Sequence, residues 1–372
     1  MSSKRERILV AMSGGVDSSV AAALLKSAGH EVIGTFMSNG IQAERPTAHQ
    51  GCCGIEDAAD ARRVAENLGI PFYVLDLSRK FDELIEAFAA AYAAGRTPNP
   101  CIECNRTFKF GALLEMARDL GAARVATGHY ARLVGQAGER MLARARDAGK
   151  DQSYVLWPLG FETLQQVEFP LGELTKDEVR AEARRMGLRT ADKPESMEIC
   201  FVPGGDYRAI VRERQPAALA AGDVVDVHGK VLGQHEGIAG FTIGQRRGLP
   251  AGQAEPMFVV RIDASERRVV VGPRSALAAT RCRLDGLVFG SAQPWSSLSE
   301  VNGFLQVRAH HRAVAVRVQV AASNAYVDFR EPVDAVTPGQ SAVLYDEQDC
   351  VVLGGVIAST EQAAMMGTTH EV

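Results

Sequence analysis

The sequence predicts an α/β protein with a parallel sheet over residues 1–205, a small β-rich unit over 206–278 and a C-terminal β-barrel over 279–362. Two patterns carry this. Up to residue 129, short apolar runs alternate with helical repeats, the order that builds parallel βαβ units with helices on both faces. From about residue 222, helical periodicity gives way to short β-type runs between glycine-rich turns, the texture of a small barrel. A third observation places the chemistry: two consecutive glycines, Gly14 and Gly15, join the first strand to the first helix.

Ile8-Leu9-Val10-Ala11 is the first strand. Val20, Ala21, Leu24, Leu25 and Ala28 then recur at helical spacing until Gly29 stops them. Residues 31–37 form a second strand, followed by a polar loop, 38–54, that carries Cys52 and Cys53. Ala61, Val64, Ala65 and Leu68 mark a helix closed by Gly69, and 71–77 is a third strand. Phe81, Leu84, Ile85 and Phe88 mark a helix that runs out near Gly95. A further helix spans 106–120, and 124–129 is a strand. Thr175-Lys176-Asp177-Glu178 is a capping box opening a helix that Gly187 stops. Later β-type runs fall at 224–227, 257–262, 268–271, 304–308, 313–320, 326–329, 341–345 and 350–357. Ligands of parallel sheets sit at the carboxyl ends of the strands. Gly14, Gly15, Met37, Gly128 and His129 therefore share one rim.

At 372 residues with 46% apolar composition, the chain has enough core for two or three domains. No apolar run reaches the roughly 18–20 residues that span a bilayer. The first residues show no signal-peptide pattern, so a cytoplasmic location without membrane attachment is expected. The net charge of −4 gives no global nucleic-acid signature. Residues 241–330, however, hold twelve arginines, no lysine and six acidic side chains. Such a region reads either as a phosphate-binding face or as a solvated barrel surface. Seven cysteines in a chain of this type point to catalysis or metal binding, not a disulfide framework.

Ala11-Met12-Ser13-Gly14-Gly15-Val16-Asp17-Ser18 is the first chemical stretch. Its glycines allow a tight turn, and the N–H groups opening the helix point at an anion. Ser13, Ser18 and Ser19 can add hydroxyl hydrogen bonds, and Asp17 can hold Mg²⁺. A Walker A loop, which ends in glycine, lysine and a hydroxyl residue, is absent. S-G-G-V-D-S instead resembles the pyrophosphate loop of enzymes that split ATP between the α and β phosphates. The second stretch is Thr97-Pro98-Asn99-Pro100-Cys101-Ile102-Glu103-Cys104-Asn105. Two prolines stiffen the loop. Cys104, just ahead of the helix expected near Arg106 and close to Lys109, suits a thiolate. The third is Ile199-Cys200-Phe201, in which Cys200 reads either as chemistry or as a small core residue. Cys282 and Cys350 read as thiols without chemistry.

With these motifs in order, the chain resembles the bacterial tRNA-specific 2-thiouridylases, a family of pyrophosphate-loop (adenine nucleotide alpha hydrolase-like) enzymes, over nearly its whole length. Thr127-Gly128-His129-Tyr130, Lys150-Asp151-Gln152-Ser153-Tyr154, Gly244-Gln245-Arg246-Arg247-Gly248-Leu249 and 336–342 add to the match. The resemblance implies ATP-dependent replacement of the C2 oxygen of the tRNA wobble uridine by sulfur. AMP transferred to that oxygen makes it a leaving group. Cys200 is implied as the persulfide carrier and Cys104 as the nucleophile that releases the sulfur, through a disulfide with Cys200 or as hydrosulfide. Residues Ala11 to Ser18, with Met37 and Gly128, are implied in ATP binding. Asn99, Pro100 and Cys101 are implied at the target base, and His129, Lys150, Asp151, Gln152, His310, His311 and Gln340 in tRNA contact. The implied partners are tRNA and a sulfur-donor protein, and the chain is expected as a monomer.

Two positions depart from the pattern. His310 and His311 stand where many relatives carry arginine and tyrosine. Cys101 stands where many carry aspartate, and its thiol can act as a base only with a lowered pKa. Cys101, Cys104 and Cys200 then form a candidate ligand set for an iron–sulfur cluster, and Cys52 and Cys53 candidate zinc ligands. Two other readings keep the ATP loop: a different adenylating enzyme of amidotransfer or ligase type, and a non-catalytic nucleotide- or tRNA-binding redox module. The Cys104 and Cys200 pair argues against both.

Overall fold

The computed structural model describes residues 5–40, 54–194, 199–202, 205–253, 255–292, 300–321 and 323–362. Strand β1 (Arg7–Ala11) leads through the glycine loop into α1 (Val16–Ser27). Then come β2 (Glu31–Ser38), α2 (Ile55–Leu68), β3 (Phe72–Asp76) and α3 (Ser78–Ala93). The expected helices end at Gly69 and Gly95 as the sequence predicts.

The next helical stretch starts earlier than expected. Helix α4 (Pro100–Glu103) runs without a break into a π-helical segment (Cys104–Gly111) and on into α5 (Ala112–Asp119). Asn99 caps it, its side-chain oxygen accepting from the Cys101 N–H at 3.2 Å, and Pro100 fills the first helical position. Both are helix-start signals. The prolines thus open a helix instead of stiffening an exposed loop, and Thr97 and Pro100 are buried.

After β4 (Arg124–Ala126) a hairpin forms from β5 (Arg132–Val134) and β6 (Met141–Ala143). Short helices α6 (Ser153–Leu156) and α7 (Phe161–Leu164) precede β7 (Val167–Glu168), and α8 (Lys176–Arg185) follows with its capping box formed. The first sheet has the order β3-β2-β1-β4-β7, and every pairing is parallel. The strand order reverses at β1, so a crevice opens outside the ends of β1 and β4. The glycine loop stands there.

Helix α9 (Tyr207–Arg214) connects to a four-stranded sheet, order β10-β11-β8-β9. Its strands are β8 (Gly222–Asp226), β9 (Val231–His235), β10 (Phe258–Asp263) and β11 (Arg268–Gly272). The last six strands close a barrel in the order β12-β15-β14-β13-β16-β17. They are β12 (Ala278–Phe289), β13 (Glu300–Gln306), β14 (Val314–Ala321), β15 (Asn324–Asp334), β16 (Ser341–Tyr345) and β17 (Val351–Gln362). Strand β14 alternates valine inward with arginine and glutamine outward, the period of a barrel wall.

The barrel is seated on the first domain through a shared apolar cluster of Tyr154, Leu156, Trp157, Val343, Tyr345 and Val351. The Tyr154 hydroxyl donates to the Ser341 carbonyl at 2.7 Å, and Ser153 and Tyr345 hydroxyls meet at 3.0 Å. Gly354 lies against Trp157 so closely that a Cβ there would stand 2.5 Å from the ring. No described helix is long and apolar enough to cross a membrane.

Candidate active site

The glycine loop is shaped by close backbone approaches. Gly14 has φ 72°, and a Cβ there would meet the Asp57 carbonyl oxygen at 2.2 Å, so only glycine lets α2 pack over the turn. A Cβ on Gly128, beyond β4, would stand 2.7 Å from the Ser18 nitrogen and 2.8 Å from the Asp17 carbonyl carbon. Gly15 is the N-cap of α1 and makes no side-chain cap bond. The dipole of a twelve-residue helix therefore opens onto the rim. Ala11 and Met12 are buried, which leaves their backbone as the part facing the rim.

The serines mostly hold the loop itself. The Ser18 and Ser19 hydroxyls donate to the Gly15 carbonyl at 3.2 and 2.8 Å, and Ser18 Oγ accepts from the Ser13 N–H at 3.0 Å. Ser13 is the half-buried hydroxyl of the three.

Asp17 differs more sharply from expectation. Lys176 Nζ lies 2.7 and 2.8 Å from its two carboxylate oxygens, and the Tyr130 hydroxyl donates to one of them at 2.8 Å. Both oxygens already face donors, so Mg²⁺ at this carboxylate would share it with Lys176. On the other flank, Lys193 Nζ reaches the Gly14 carbonyl at 3.1 Å, Asp57 at 2.8 Å and Asp60 at 2.7 Å.

Two of the cysteines share one apolar cluster. Cys104 and Cys200, remote in sequence, pack against one cluster that contains Phe81, Phe88, Phe108 and Phe201, with Met37 at its edge. The Phe201 ring meets Phe81 at 5.7 Å and Phe88 at 5.1 Å between centroids. Cys200 is thus held by its neighbour's aromatic anchor and is half-buried, as is Cys104, whereas Cys101 is exposed. Cys104 begins the π-helical segment, a geometry found frequently at functional sites. The helix N-terminus expected to act on Cys104 falls instead at Cys101.

No three Cys, His, Asp or Glu side chains are grouped as metal ligands among the described residues. Cys101 stands at the exposed start of the helix while Cys104 and Cys200 lie against apolar side chains, so the ligand set expected for an iron–sulfur cluster is not assembled. Cys52 and Cys53 lie outside the described residues. Cys282 is enclosed in the barrel, where burial pushes its thiol up to about 12, and Cys350 is also buried.

The residues expected to touch tRNA divide into two groups. His129 is a correction: its ring is buried between Phe110 and Phe169, and Nδ1 is 2.7 Å from Thr127 Oγ1. Burial, and then the nearby Lys109 charge, hold its pKa well below the usual 6.5, so it is a neutral core side chain. Pro100 is buried as well, which leaves Asn99 and Cys101 as the accessible part of that motif.

Asp151, His310 and His311 line one cleft of about 730 Å³ between the first domain and the barrel. The Asp151 carboxylate accepts from the Ala145 and Ser153 N–H groups and the Ser153 hydroxyl, and pairs with Arg144 at 3.0 Å. Gln152 accepts from the Tyr130 N–H at 2.9 Å, and Lys150 is half-buried beside them. Gln340 lies on a barrel loop that touches the cysteine loop, since the Thr97 N–H donates to the Pro338 carbonyl at 3.2 Å. Of the arginines in residues 241–330, several are paired with carboxylates, as Arg281 is with Asp328 and Arg274 with Asp334. Arg308 and Arg312, flanking His310 and His311, are exposed on the cleft loop.

Sequence reasoning missed Lys176, Tyr130, Lys193 and Arg144. Lys176 was visible only as part of a capping box. Arg144 joins the domains by bonding Gln306 at 2.8 Å and stacking 3.8 Å over the Tyr345 ring, a pairing that depends wholly on the tertiary fold.

A parallel sheet with this glycine loop at its switch point defines a pyrophosphate-loop ATP enzyme, here carrying a β-barrel at its C-terminal end. Residues 6–204 match the family model described as a tRNA methyl transferase HUP domain, 210–273 its PRC-barrel domain, and 286–357 an aminomethyltransferase β-barrel domain. A tRNA-specific 2-thiouridylase MnmA from Geobacter metallireducens is 48% identical over 94% of this chain and 96% of its own length. One from Roseiflexus castenholzii is 46% identical over 94% and 98%. The chain belongs to the tRNA-specific 2-thiouridylase (MnmA) family. A solved 4-thiouridine synthetase–RNA complex with bound ATP aligns with 57% of this chain and 50% of that one, at 20% identity and a TM-score of 0.36, a likeness too low to carry argument.

Proposed function

We propose that this chain is a tRNA-uridine 2-sulfurtransferase that uses ATP to replace the C2 oxygen of the wobble uridine with sulfur. The observation that carries the reading is the gathering of Cys104 and Cys200 on one aromatic cluster that Met37, near the end of β2, shares with the core around Leu9 and Ala11 of β1, the strand leading into the glycine loop. A urea-like carbonyl oxygen leaves poorly. The C2 oxygen therefore attacks the α phosphorus of ATP, the bond to the bridging oxygen breaks, and pyrophosphate departs. The helix α1 dipole and loop N–H groups bear the phosphate charge. Mg²⁺ enters with ATP as the nucleotide's counterion.

Cys200, loaded as a persulfide by a sulfur-donor protein, attacks C2 with its terminal sulfur. Cys104 thiolate then attacks the Cys200 sulfur and cleaves the S–S bond. The sulfur stays on C2, AMP leaves, and a Cys104–Cys200 disulfide remains for a thiol reductant to reopen. The base has to leave its stack to reach these groups. In this reading Asn99 and Cys101 meet the base, and Lys150, Gln152, His310, His311 and Gln340 hold the tRNA around it. The monomer is the acting species.

The test is incubation of the full chain with ATP, a persulfide (sulfane-sulfur) donor, a thiol reductant and unmodified tRNA. Pyrophosphate release together with exchange of oxygen for sulfur on the wobble base supports the proposal. ATP splitting that ignores tRNA points to another adenylating enzyme, and no turnover to a binding module.

A further inference from the structure

The arginine-rich region at residues 241–330 divides into paired and unpaired side chains. Six of its twelve arginines face carboxylates, as Arg283 faces Asp285 and Arg317 faces Glu300. Arg246 and Arg247 are exposed, and among the described residues their guanidinium groups make no ion pair or hydrogen bond. We infer that this pair, joined by Arg96 of the first domain, is a phosphate-binding site for the RNA strand that carries the target uridine. The inference rests on the tRNA reading proposed above.

The loop that carries the pair is anchored at both ends. Phe241 and Leu249 pack on the core around Val224 and Val259, and Ile243 packs on the core around Val260. Gly244 and Gly248 turn with φ 86° and 76° on either side of the arginines. The Gly244 N–H donates to the Val259 carbonyl at 2.8 Å, and the Gln245 carbonyl accepts from the Val259 N–H at 2.9 Å, which stitches the loop to β10. The Gln245 side chain spans the tip. Its oxygen accepts from the Thr242 N–H at 3.1 Å, and its nitrogen donates to the Arg247 carbonyl at 2.8 Å. A fixed backbone under two unpaired guanidinium groups suits phosphate, which the planar fork of arginine meets in bidentate fashion.

Three domains converge at this loop. A Cβ on Gly244 would stand 3.0 Å from Ala335 Cβ, on the barrel segment between β15 and β16. Further along that segment, a Cβ on Gly339 would stand 2.9 Å from both Arg96 Cβ and the Thr97 nitrogen. A Cβ on Gly95 would stand 2.9 Å from Ile262 Cγ2 of β10. The arginine loop, the segment carrying Gln340 and the residues leading into Asn99 and Cys101 therefore form one packed junction. Arg96 is exposed there, and among the described residues its guanidinium also makes no ion pair or hydrogen bond. A base that meets Asn99 and Cys101 brings its neighbouring phosphates to this junction. Contacts of this kind position the strand and do not read its sequence.

The test is filter binding of full-length protein to unmodified tRNA across a salt series. R246Q/R247Q is expected to weaken binding by about 10- to 100-fold and to flatten the log–log salt slope by about 1–2. R246K/R247K should lose affinity and keep the slope, because lysine retains the charge without the fork. R184Q/R185Q removes the same charge from α8, where both arginines are ion-paired, and should bind as wild type does. Phosphate-ethylation interference locates the contact. Ethylation beside the wobble uridine should block wild-type binding and lose that effect in R246Q/R247Q, whose thermal melt should match wild type. Wild-type affinity and slope in R246Q/R247Q, an equal loss in R184Q/R185Q, or an unchanged interference pattern overturns the inference. Wild-type protein that does not bind tRNA refutes the proposed function instead, so the two failures are distinguishable.

Discussion

Gly128→Ala adds a single methyl group at the point where β4 meets the nucleotide loop. The backbone of Gly128 is not in the left-handed region, so alanine brings no conformational strain of its own. Its effect is contact alone. The new Cβ would lie 2.7 Å from the Ser18 nitrogen, 2.8 Å from the Asp17 carbonyl carbon and 3.0 Å from the Ser18 Cα. All three are backbone atoms of the first turn of α1, and a flexible side chain is not available to yield. Either α1 or the 127–129 segment has to move by several tenths of an ångström. Overpacking of this kind costs about 1–3 kcal/mol. Because the displaced atoms are the ones proposed to face the phosphates, that cost should appear as a loss of ATP affinity of about 5- to 150-fold. Calorimetric titration with a non-cleavable ATP analogue measures it, and a thermal melt shows whether the variant is folded. A folded Gly128→Ala protein that binds the analogue like wild type would refute the placement of ATP at this junction.

Cys200→Ser should abolish sulfur transfer, by at least about 10³-fold, while tRNA-dependent pyrophosphate release from adenylation remains measurable; retained thiolation would remove Cys200 from the persulfide role. The double substitution R308Q/R312Q, on the exposed cleft loop, should raise the KM for tRNA, leave the KM for ATP unchanged and flatten the log–log salt dependence of tRNA binding by about 1–2. Filter binding across a salt series checks it. Folding keeps His129 neutral, with its pKa well below 6.5. The unfolded chain takes up a proton there as pH falls, so stability drops below about pH 6.5 by up to about 1.4 kcal/mol per pH unit. Urea melts should show a shallower decline in His129→Gln than in wild type over that range.

Much of this fold is legible because its signals are local. The apolar run 8–11, two glycines and the helical repeat of α1 specify a strand–turn–helix without outside help, and Thr175 with Glu178 announces α8. Strand β7 was not legible, since two residues show no periodicity. The helix start at Pro100 was misread because the Asn99–Pro100 pair serves a loop as well as a cap, and the π-helical continuation has no local signature. The site was legible as a set of parts and not as an arrangement. Nothing near Cys104 or Cys200 says that Phe201 inserts between Phe81 and Phe88 and so brings the two cysteines to one cluster. His129 looked like a rim residue because it follows Gly128, yet the ring turns inward to Phe110 and Phe169. Lys176 escaped notice because a lysine after an N-cap usually points to solvent, and its partner is an aspartate from the other end of the domain.

In the proposed reaction the C2 oxygen leaves as part of AMP and sulfur takes its place. It is tested most directly with tRNA carrying oxygen-18 at C2 of the wobble uridine. After a single turnover with ATP and a persulfide (sulfane-sulfur) donor, mass spectrometry should find the heavy oxygen in AMP and sulfur on the base. Heavy oxygen in pyrophosphate or inorganic phosphate, or unlabelled AMP beside a thiolated base, would contradict it.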